Sequence, residues 1–421
     1  MMKISYADCW TAAGLGTEVF ISGLYNGLDH SRFVEAHEWS HQVPAGGKIC
    51  QIQRKNFVTD EMRQEAFLSY SDLQQKYFQT LWQRFLQHLQ NTLTKNEQAQ
   101  WASEKFLFLL ASTKGAVEDY IWDFQIDPQG SRQAPDPFEG LVRFMQEQVK
   151  LSWAQWGQQA TVDFQVVSQA CASSHLAIEM AHLSLQNMDY DHVFVFAVDS
   201  IGPFIYQGFH SLKVLSTTVN RPFATDRDGL QLGESCTLHL FSKKNISQSS
   251  SYGCQILAVA SETEGGSVTR PSRDGLSLLR ALFKVHQQAQ VRPDFWIAHG
   301  TGTFFNDLAE EKAIRLFQKE LNVSAPVTGV KWSVGHCLGA SGALDLIAAC
   351  AVLKNKKLFS LASTKQIDLQ FETKFQLNDM TTLNDGLSHH QVALAAMVTS
   401  LGFGGVHAAL LVQSDLVRED V

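Results

Sequence analysis

An α/β protein, with buried sheets covered by helices on their faces, is what three features of the sequence predict. From about residue 161 onward, short apolar runs alternate with helical stretches, the pattern of strands connected through helices. Several of those runs are apolar at nearly every position, as in strands covered on both sides. The chain has 421 residues, 45% hydrophobic and 18% charged, which is too long for one ordinary domain and rich enough to bury a large core.

The elements follow in chain order. Residues 60–95 and 98–125 read as helical, because Met62, Ala66, Tyr70, Leu73, Tyr77, Leu81 and Phe85 recur at three- and four-residue spacing among Gln, Lys and Glu, a helix face laid on a core. Thr161–Gln169 alternates Val162, Phe164 and Val166 and reads as a strand, Ser174–Leu185 as a helix, and His192–Val198 as an almost purely apolar strand. The style then repeats. Cys254–Val259 is a strand, Ser277–Gln288 a helix, Asp294–Ala298 a strand, Ala309–Glu320 and Gly342–Leu353 helices, and Val392–Thr399 a strand. The Ser- and Asn-rich stretch from Lys243 to Tyr252 divides the chain into halves of residues 1–250 and 251–421.

Charge and composition exclude several classes. The 34 Lys and Arg against 42 Asp and Glu give a formal charge of −8, which argues against a duplex-binding footprint or a polybasic anchor; an anionic partner must meet a local basic patch. The longest clean apolar stretch, Leu346–Leu353, has about 8 residues where a membrane helix needs about 20. The amino terminus lacks the apolar core and cleavage site of a signal peptide, so a cytoplasmic protein is expected. Seven cysteines, Cys9, Cys50, Cys171, Cys236, Cys254, Cys337 and Cys350, form no C-x-x-C pair. A disulfide framework and a structural zinc site are therefore not expected.

Four segments could carry chemistry. In Ser168-Gln-Ala-Cys-Ala-Ser-Ser174, Cys171 sits where a strand gives way to small residues and a helix. The unpaired amides of a helix start favour a thiolate there, although a free cysteine is commonly a packing residue. In Ala298-His-Gly-Thr-Gly-Thr303, His299 ends a strand beside glycines that admit a ligand, or is simply a hydrogen-bonded structural histidine. Gly329-Val-Lys-Trp-Ser-Val-Gly-His-Cys-Leu-Gly-Ala-Ser-Gly342 brings Lys331 and His336 into apolar surroundings; a buried lysine must be paired or lose its charge, and one that reaches solvent needs no role. Leu401-Gly-Phe-Gly-Gly405 is a glycine turn with one aromatic, Phe403.

The combination and order of these segments resemble the β-ketoacyl-acyl carrier protein synthases, type II elongating ketosynthases. Ala13-Gly-Leu-Gly16 resembles the family's opening glycine turn, the helical region before Ala111-Ser-Thr-Lys-Gly115 its insertion, and the segment from Arg221 through Asp226, Arg227, Asp228 and Gly229 to Glu234 a stretch it carries after the nucleophile. The resemblance implies the thiolase fold, two similar α/β halves each with a five-stranded mixed sheet, stacked in five layers. It implies a decarboxylative Claisen condensation of an acyl-enzyme thioester with malonyl-acyl carrier protein, in fatty acid, polyketide or aryl polyene elongation. By this likeness Cys171 is the acylated nucleophile, and His299 and His336 stabilise the enolate. Lys331 shapes the charge around His336, and the backbone amides of Cys171 and Phe403 form an oxyanion hole. Phe403 is a gate, and Thr301 and Thr303 contact the pantetheine arm.

The resemblance further implies no bound cofactor and no metal, the phosphopantetheine arriving on the acyl carrier protein. That protein would dock at Lys213 and Arg270, with Arg54, Lys55 and Arg63 as secondary candidates. A homodimer, or a heterodimer with a chain length factor, is also implied. Three departures stand out: Gln169 where Thr is usual, which is expected to alter the floor of the acyl pocket; Asp345 where Glu is usual; and Asp199-Ser-Ile-Gly202 in place of a turn often richer in glycine. A catalytically silent chain-length-factor-like subunit is the alternative, against which the retained Cys171, His299 and His336 argue. A thiolase would carry a second cysteine near the carboxyl terminus, where this chain has His407.

Overall fold

The computed structural model describes residues 2–33, 48–52, 69–120, 136–157, 161–187, 190–244, 252–377, 380–383 and 393–415. Met62 and Ala66 of the expected first helix, and the docking candidates Arg54, Lys55 and Arg63, lie outside them. The first half contains β1 (Met2–Thr11), α1 (Thr17–Tyr25), α2 (Tyr70–Thr92), α3 (Lys95–Trp101), β2 (Phe106–Ala111), α4 (Glu139–Gln155), β3 (Val162–Val167), α5 (Ser173–Gln186), β4 (His192–Asp199), α6 (Pro203–Ser211) and β5 (Ser235–Ser242). The second contains β6 (Cys254–Thr263), α7 (Leu276–Ala289), β7 (Phe295–Ile297), α8 (Phe304–Glu320), β8 (Val327–Thr328), α9 (Ser341–Asn355), β9 (Ala395–Gly402) and β10 (Val406–Ser414).

The two halves share one topology. In the first sheet the order is β3-β2-β4-β5-β1, with β2 parallel to both β3 and β4, and β5 antiparallel to β4 and β1. In the second it is β8-β7-β9-β10-β6, with β7 parallel to β8 and β9, and β10 antiparallel to β9 and β6. Each half thus repeats the same five-strand order and the same strand senses. The sheets meet edge to edge through the short antiparallel pairing of Met2 with Ile256 and Lys3 with Gln255.

Helices complete five layers. α5 and α9 pack on each other between the sheets, α2 and α4 cover the outer face of the first sheet, and α7 and α8 that of the second. This is the thiolase fold. The layering explains α9, whose residues from Ser341 to Cys350 are all buried. The stretch Leu338–Asn355 has the length and apolarity of a membrane span, but 89% of it is buried in the protein. A helix between two sheets has no polar face to show.

α2 follows the sequence pattern, burying Leu73, Tyr77, Leu81 and Phe85 together with Phe78, Trp82 and Leu89, and Ser69 caps it by accepting from the Asp72 amide. The expected helix over 98–125 is a correction. α3 ends at Trp101, and Phe106-Leu-Phe-Leu-Leu-Ala111 forms the fully buried interior strand β2. A short continuous apolar run fits a buried helix or a buried strand by periodicity alone; here parallel neighbours on both sides make it a strand.

Candidate active site

Cys171 lies in the turn between β3 and α5. Ser173 builds that turn: its hydroxyl accepts from the Gln169 amide at 2.8 Å and donates to the Ala170 carbonyl at 2.7 Å. Ala170 takes a left-handed φ of 46°, a conformation a small residue tolerates better than a bulky one. From the second half, the Ser400 hydroxyl donates to the Cys171 carbonyl at 3.2 Å. The nucleophile candidate is therefore fixed by both halves.

His299 follows β7, and a residue the sequence reading missed holds it. Glu310 of α8 accepts from the amides of His299 at 2.7 Å and Gly300 at 2.8 Å and from the Thr399 hydroxyl at 2.6 Å. One turn earlier, Asp307 accepts from the amides of Phe223 at 2.7 Å and Gly302 at 3.1 Å. Burial pushes the Asp307 carboxyl up to about 7 against those hydrogen bonds and the Arg227 charge. A signal for both was present: Asp307, Glu310, Ile314 and Phe317 are spaced three, four and three apart, so two carboxylates share the buried stripe of an amphipathic helix.

His336 follows a single helical turn, Lys331–Val334, and Gly335, whose φ is 75°. A Cβ at Gly335 would stand 2.7 Å from the Leu232 carbonyl oxygen, so glycine is needed for the close approach. The His336 amide donates to the Gln231 carbonyl at 2.6 Å, and the Gly233 amide to the His336 carbonyl at 2.9 Å. The segment ending at Glu234 is thus the scaffold on which this histidine sits.

The side chains converge. His336 Nε2 lies 3.0 Å from Cys171 Sγ, and its Nδ1 lies 3.0 Å from the Ser341 hydroxyl oxygen. The His299 ring stands perpendicular to that of His336, with centroids 5.1 Å apart. Behind them Lys331 Nζ donates to Asp345 Oδ2 at 2.9 Å, both groups being almost wholly buried. Burial pushes the Asp345 carboxyl up to about 6 while the Lys331 charge holds it down. Burial, aided by Lys331, pulls His336 down to about 3 and His299 well below the ordinary value. Both rings are therefore neutral, and a neutral imidazole can still donate one N–H to a developing anion.

The expected thiolate at Cys171 needs correction. Burial pushes the thiol up to about 12, and the counteracting pull of the Phe403 amide, the Lys331 charge and its own amide does not overcome it. Burial disfavours any uncompensated charge, so the resting group is the neutral thiol. Gln169 is a second correction. It is exposed, away from the cavity lining, and does not form a floor.

One cavity of about 380 Å³ joins these groups to the surface. Cys171, His299 and His336 line its inner end; Thr301 and Thr303, with hydroxyl oxygens 3.0 Å apart, and Phe403 line its length. The exposed Lys213 and Arg270 border the same cavity, and Arg270 and Arg273 both lie over the Phe305 ring, 5.2 Å and 4.9 Å from its centroid. Lys331 is not on the cavity wall.

Two family models match this chain, the Beta-ketoacyl synthase N-terminal domain over residues 163–245 and the Beta-ketoacyl synthase C-terminal domain over residues 253–365. Together they hold Cys171, His299, Lys331 and His336. Both halves of this chain match β-ketoacyl synthase models. Among its relatives, 3-oxoacyl-[acyl-carrier-protein] synthase 1 of Buchnera aphidicola is 26% identical over 257 residues, 59% of this chain and 60% of the relative. The synthase 2 of Staphylococcus aureus is 28% identical over 253 residues, 58% of this chain and 61% of the relative. The matched part thus spans about six-tenths of these relatives' own length.

Solved structures align over nearly the whole chain. The ketosynthase ApeO, solved with its chain length factor ApeC from Xenorhabdus doucetiae, has a TM-score of 0.76 at 19% identity, covering 98% of each chain. A β-ketoacyl synthase from Burkholderia phymatum has a TM-score of 0.76 at 18% identity, covering 99% of each chain.

The turn bearing Phe403 is suited to movement. Its ring is half-buried and stacks on Phe209, centroids 5.5 Å apart, and Gly404 and Gly405 beside it have φ of 82° and 75°. A half-buried ring on a cavity wall, packed from one side by an apolar cluster that includes Phe209 and Leu230, can swing between two positions a few kcal/mol apart. Phe403→Ala is expected to change acyl-chain preference while thermal unfolding moves little. A static core phenylalanine would instead lose about 3–5 kcal/mol, and a loss of that size with unchanged preference would contradict the gate.

Proposed function

We propose that this chain is a β-ketoacyl-acyl carrier protein synthase that condenses an acyl group on Cys171 with malonyl-acyl carrier protein to give 3-oxoacyl-acyl carrier protein. The observation that carries the reading is the meeting of Cys171 Sγ and His336 Nε2 at 3.0 Å, with His299 beside them, at the inner end of a single cavity. Cys171 attacks the acyl thioester, and the thiol proton ends on the departing pantetheine sulfur. Malonyl thioester then loses carbon dioxide; the electron pair of the broken C–C bond becomes an enolate, whose oxygen accepts from Nε2 of His299 and His336. The enolate carbon attacks the acyl-cysteine, the amides of Cys171 and Phe403 receive the tetrahedral oxyanion, and the expelled sulfur takes a proton from water.

No bound cofactor enters these steps in this reading: phosphopantetheine comes on the carrier protein and would meet Thr301 and Thr303, which line the cavity. The seven cysteines are all free and buried, in keeping with a cytoplasmic location. Pairing through β3 suits the fold, because this edge strand of the first sheet leaves Val166 exposed and an uncovered edge invites a partner. Neighbours described as a ketosynthase with a chain length factor, the ApeO–ApeC pair and the ishigamide pair, support a heterodimer of that kind. Incubation with malonyl- and acyl-carrier proteins of defined length and unsaturation tests the reading. Carbon dioxide release with 3-oxoacyl product supports it, and no product with any acyl donor contradicts it.

Docking makes its own forecast. Acidic carrier proteins need a cationic mouth on a chain of −8, and Lys213 and Arg270 supply one at the cavity's edge. Reversing both to Glu is expected to raise KM for carrier-bound acyl groups roughly tenfold and to spare a small pantetheine thioester. Equal losses on both substrates would refute the docking role.

A further inference from the structure

Strand β4 ends in Asp199. The side chain is completely buried. Its carboxylate accepts from the Ser112 hydroxyl at 2.9 Å, the Thr113 hydroxyl at 2.9 Å, the Thr113 amide at 3.0 Å and the Gly339 amide at 2.8 Å. Ser112 Oγ itself accepts from the Gly115 amide at 3.1 Å, so its proton is directed at Asp199. Four donors around one carboxylate favour its ionised form. The adjacent Lys114 is buried, and its Nζ has no hydrogen-bond partner among the described residues. Burial pushes the Asp199 carboxyl up, and the Lys114 charge pulls it back down.

These partners come from both halves of the molecule. Ser112 and Thr113 follow β2, whereas Gly339 lies between His336 and Ser341, the two residues joined through Nδ1 of the imidazole. The approach is close enough that a Cβ at Gly339 would stand 2.9 Å from Asp199 Oδ2 and 3.1 Å from Ser173 Oγ, which builds the Cys171 turn. The carboxylate, the nucleophile's turn and the histidine's turn therefore meet at one point.

We propose that Asp199 is a positioning residue of this site, whose buried carboxylate ties the turn carrying His336 to the cysteine-bearing half and fixes Nε2 against Sγ of Cys171. Its effect on the reaction rests on the ketosynthase reading; its effect on Cys171 does not. The charged and titratable groups facing Cys171 are Asp199, Lys331 with its partner Asp345, and the neutral His299 and His336. Asp199 opposes ionisation of the thiol and Lys331 favours it.

Two variants separate geometry from charge. Asp199→Asn keeps a carbonyl oxygen for the Gly339 amide and loses the charge. Alkylation of Cys171 by iodoacetamide, followed against pH, is expected to shift downward by about one unit, making the rate on the rising limb about tenfold faster. Gly339→Ala keeps the charge and displaces the turn. Malonyl decarboxylation is expected to fall about tenfold, the scale of a misplaced catalytic donor, and acylation of Cys171 to fall distinctly less.

An unmoved alkylation profile in Asp199→Asn, or equal loss of acylation and decarboxylation in Gly339→Ala, overturns the proposal. If Asp199→Asn does not fold, the comparison in Gly339→Ala decides alone. Should the wild type decarboxylate no malonyl thioester, the ketosynthase reading fails and the alkylation profile of Asp199→Asn still decides the electrostatic role.

Discussion

Purified Cys171→Ala is expected to form no 3-oxoacyl product and to carry no acyl group, while unfolding at nearly the wild-type temperature. Among the described residues the thiol is the one sulfur on the cavity wall; Cys9, Cys50, Cys236, Cys254, Cys337 and Cys350 are buried elsewhere. Without a sulfur to hold the first acyl chain, two difficult steps cannot be separated in time. Loss of a single sulfur from a cavity wall costs about 1 kcal/mol in stability, too little to unfold the chain. Condensation and unfolding temperature, measured on the same preparation, check both halves of this forecast. Condensation at the wild-type rate would remove Cys171 from the mechanism.

His336→Ala and His299→Ala are expected to slow malonyl decarboxylation by about 10²–10³, the cost of one oxyanion donor, and to slow acyl transfer to Cys171 much less. The enolate forms only in the first of these steps. Burial holds His336 near 3 and His299 well below the ordinary value. The sign follows: the neutral Nε2–H donor is present at every pH above that range. Neither imidazole of the wild type should therefore titrate near pH 6.5. Separate assays of the two half-reactions, and imidazole NMR from about pH 5 to pH 8, test the two statements. Equal loss in both half-reactions would assign the imidazoles a structural role, and an imidazole NMR titration near pH 6.5 would contradict their neutral state, whereas a step in rate alone there can come from Asp345 or Asp307.

The parts of the fold legible in the sequence were those whose apolar pattern is regular. α2 shows its three-and-four spacing, β4 is apolar throughout, and β6, α5, α7 and α9 lie where the periodicity puts them. Strands that bury polar groups were not visible. β1 carries Ser5 and Asp8 inside, and β5 carries Thr237 and His239, so neither reads as an apolar run. β2 was misread because six consecutive buried apolar residues satisfy either period.

The site divides in the same manner. Cys171, His299, Lys331, His336 and Phe403 were legible because glycines and small residues surround them in a recognisable order. The carboxylates that hold them, Glu310, Asp307 and Asp199, were not, since each acts on backbone amides far away in sequence. The state of the Cys171 thiol was misjudged for a related reason: the helix start was visible in the sequence, but the completeness of burial was not.

The central claim is that acyl chains pass through a covalent bond to Cys171. The most direct measurement is the intact mass of the protein after incubation with acyl-acyl carrier protein in the absence of malonyl donor, followed by peptide mapping. The account predicts one acyl group per chain, located on the peptide containing Cys171 and discharged when malonyl-acyl carrier protein is added. An unmodified protein, or an acyl group on another residue that discharges equally well, would contradict it.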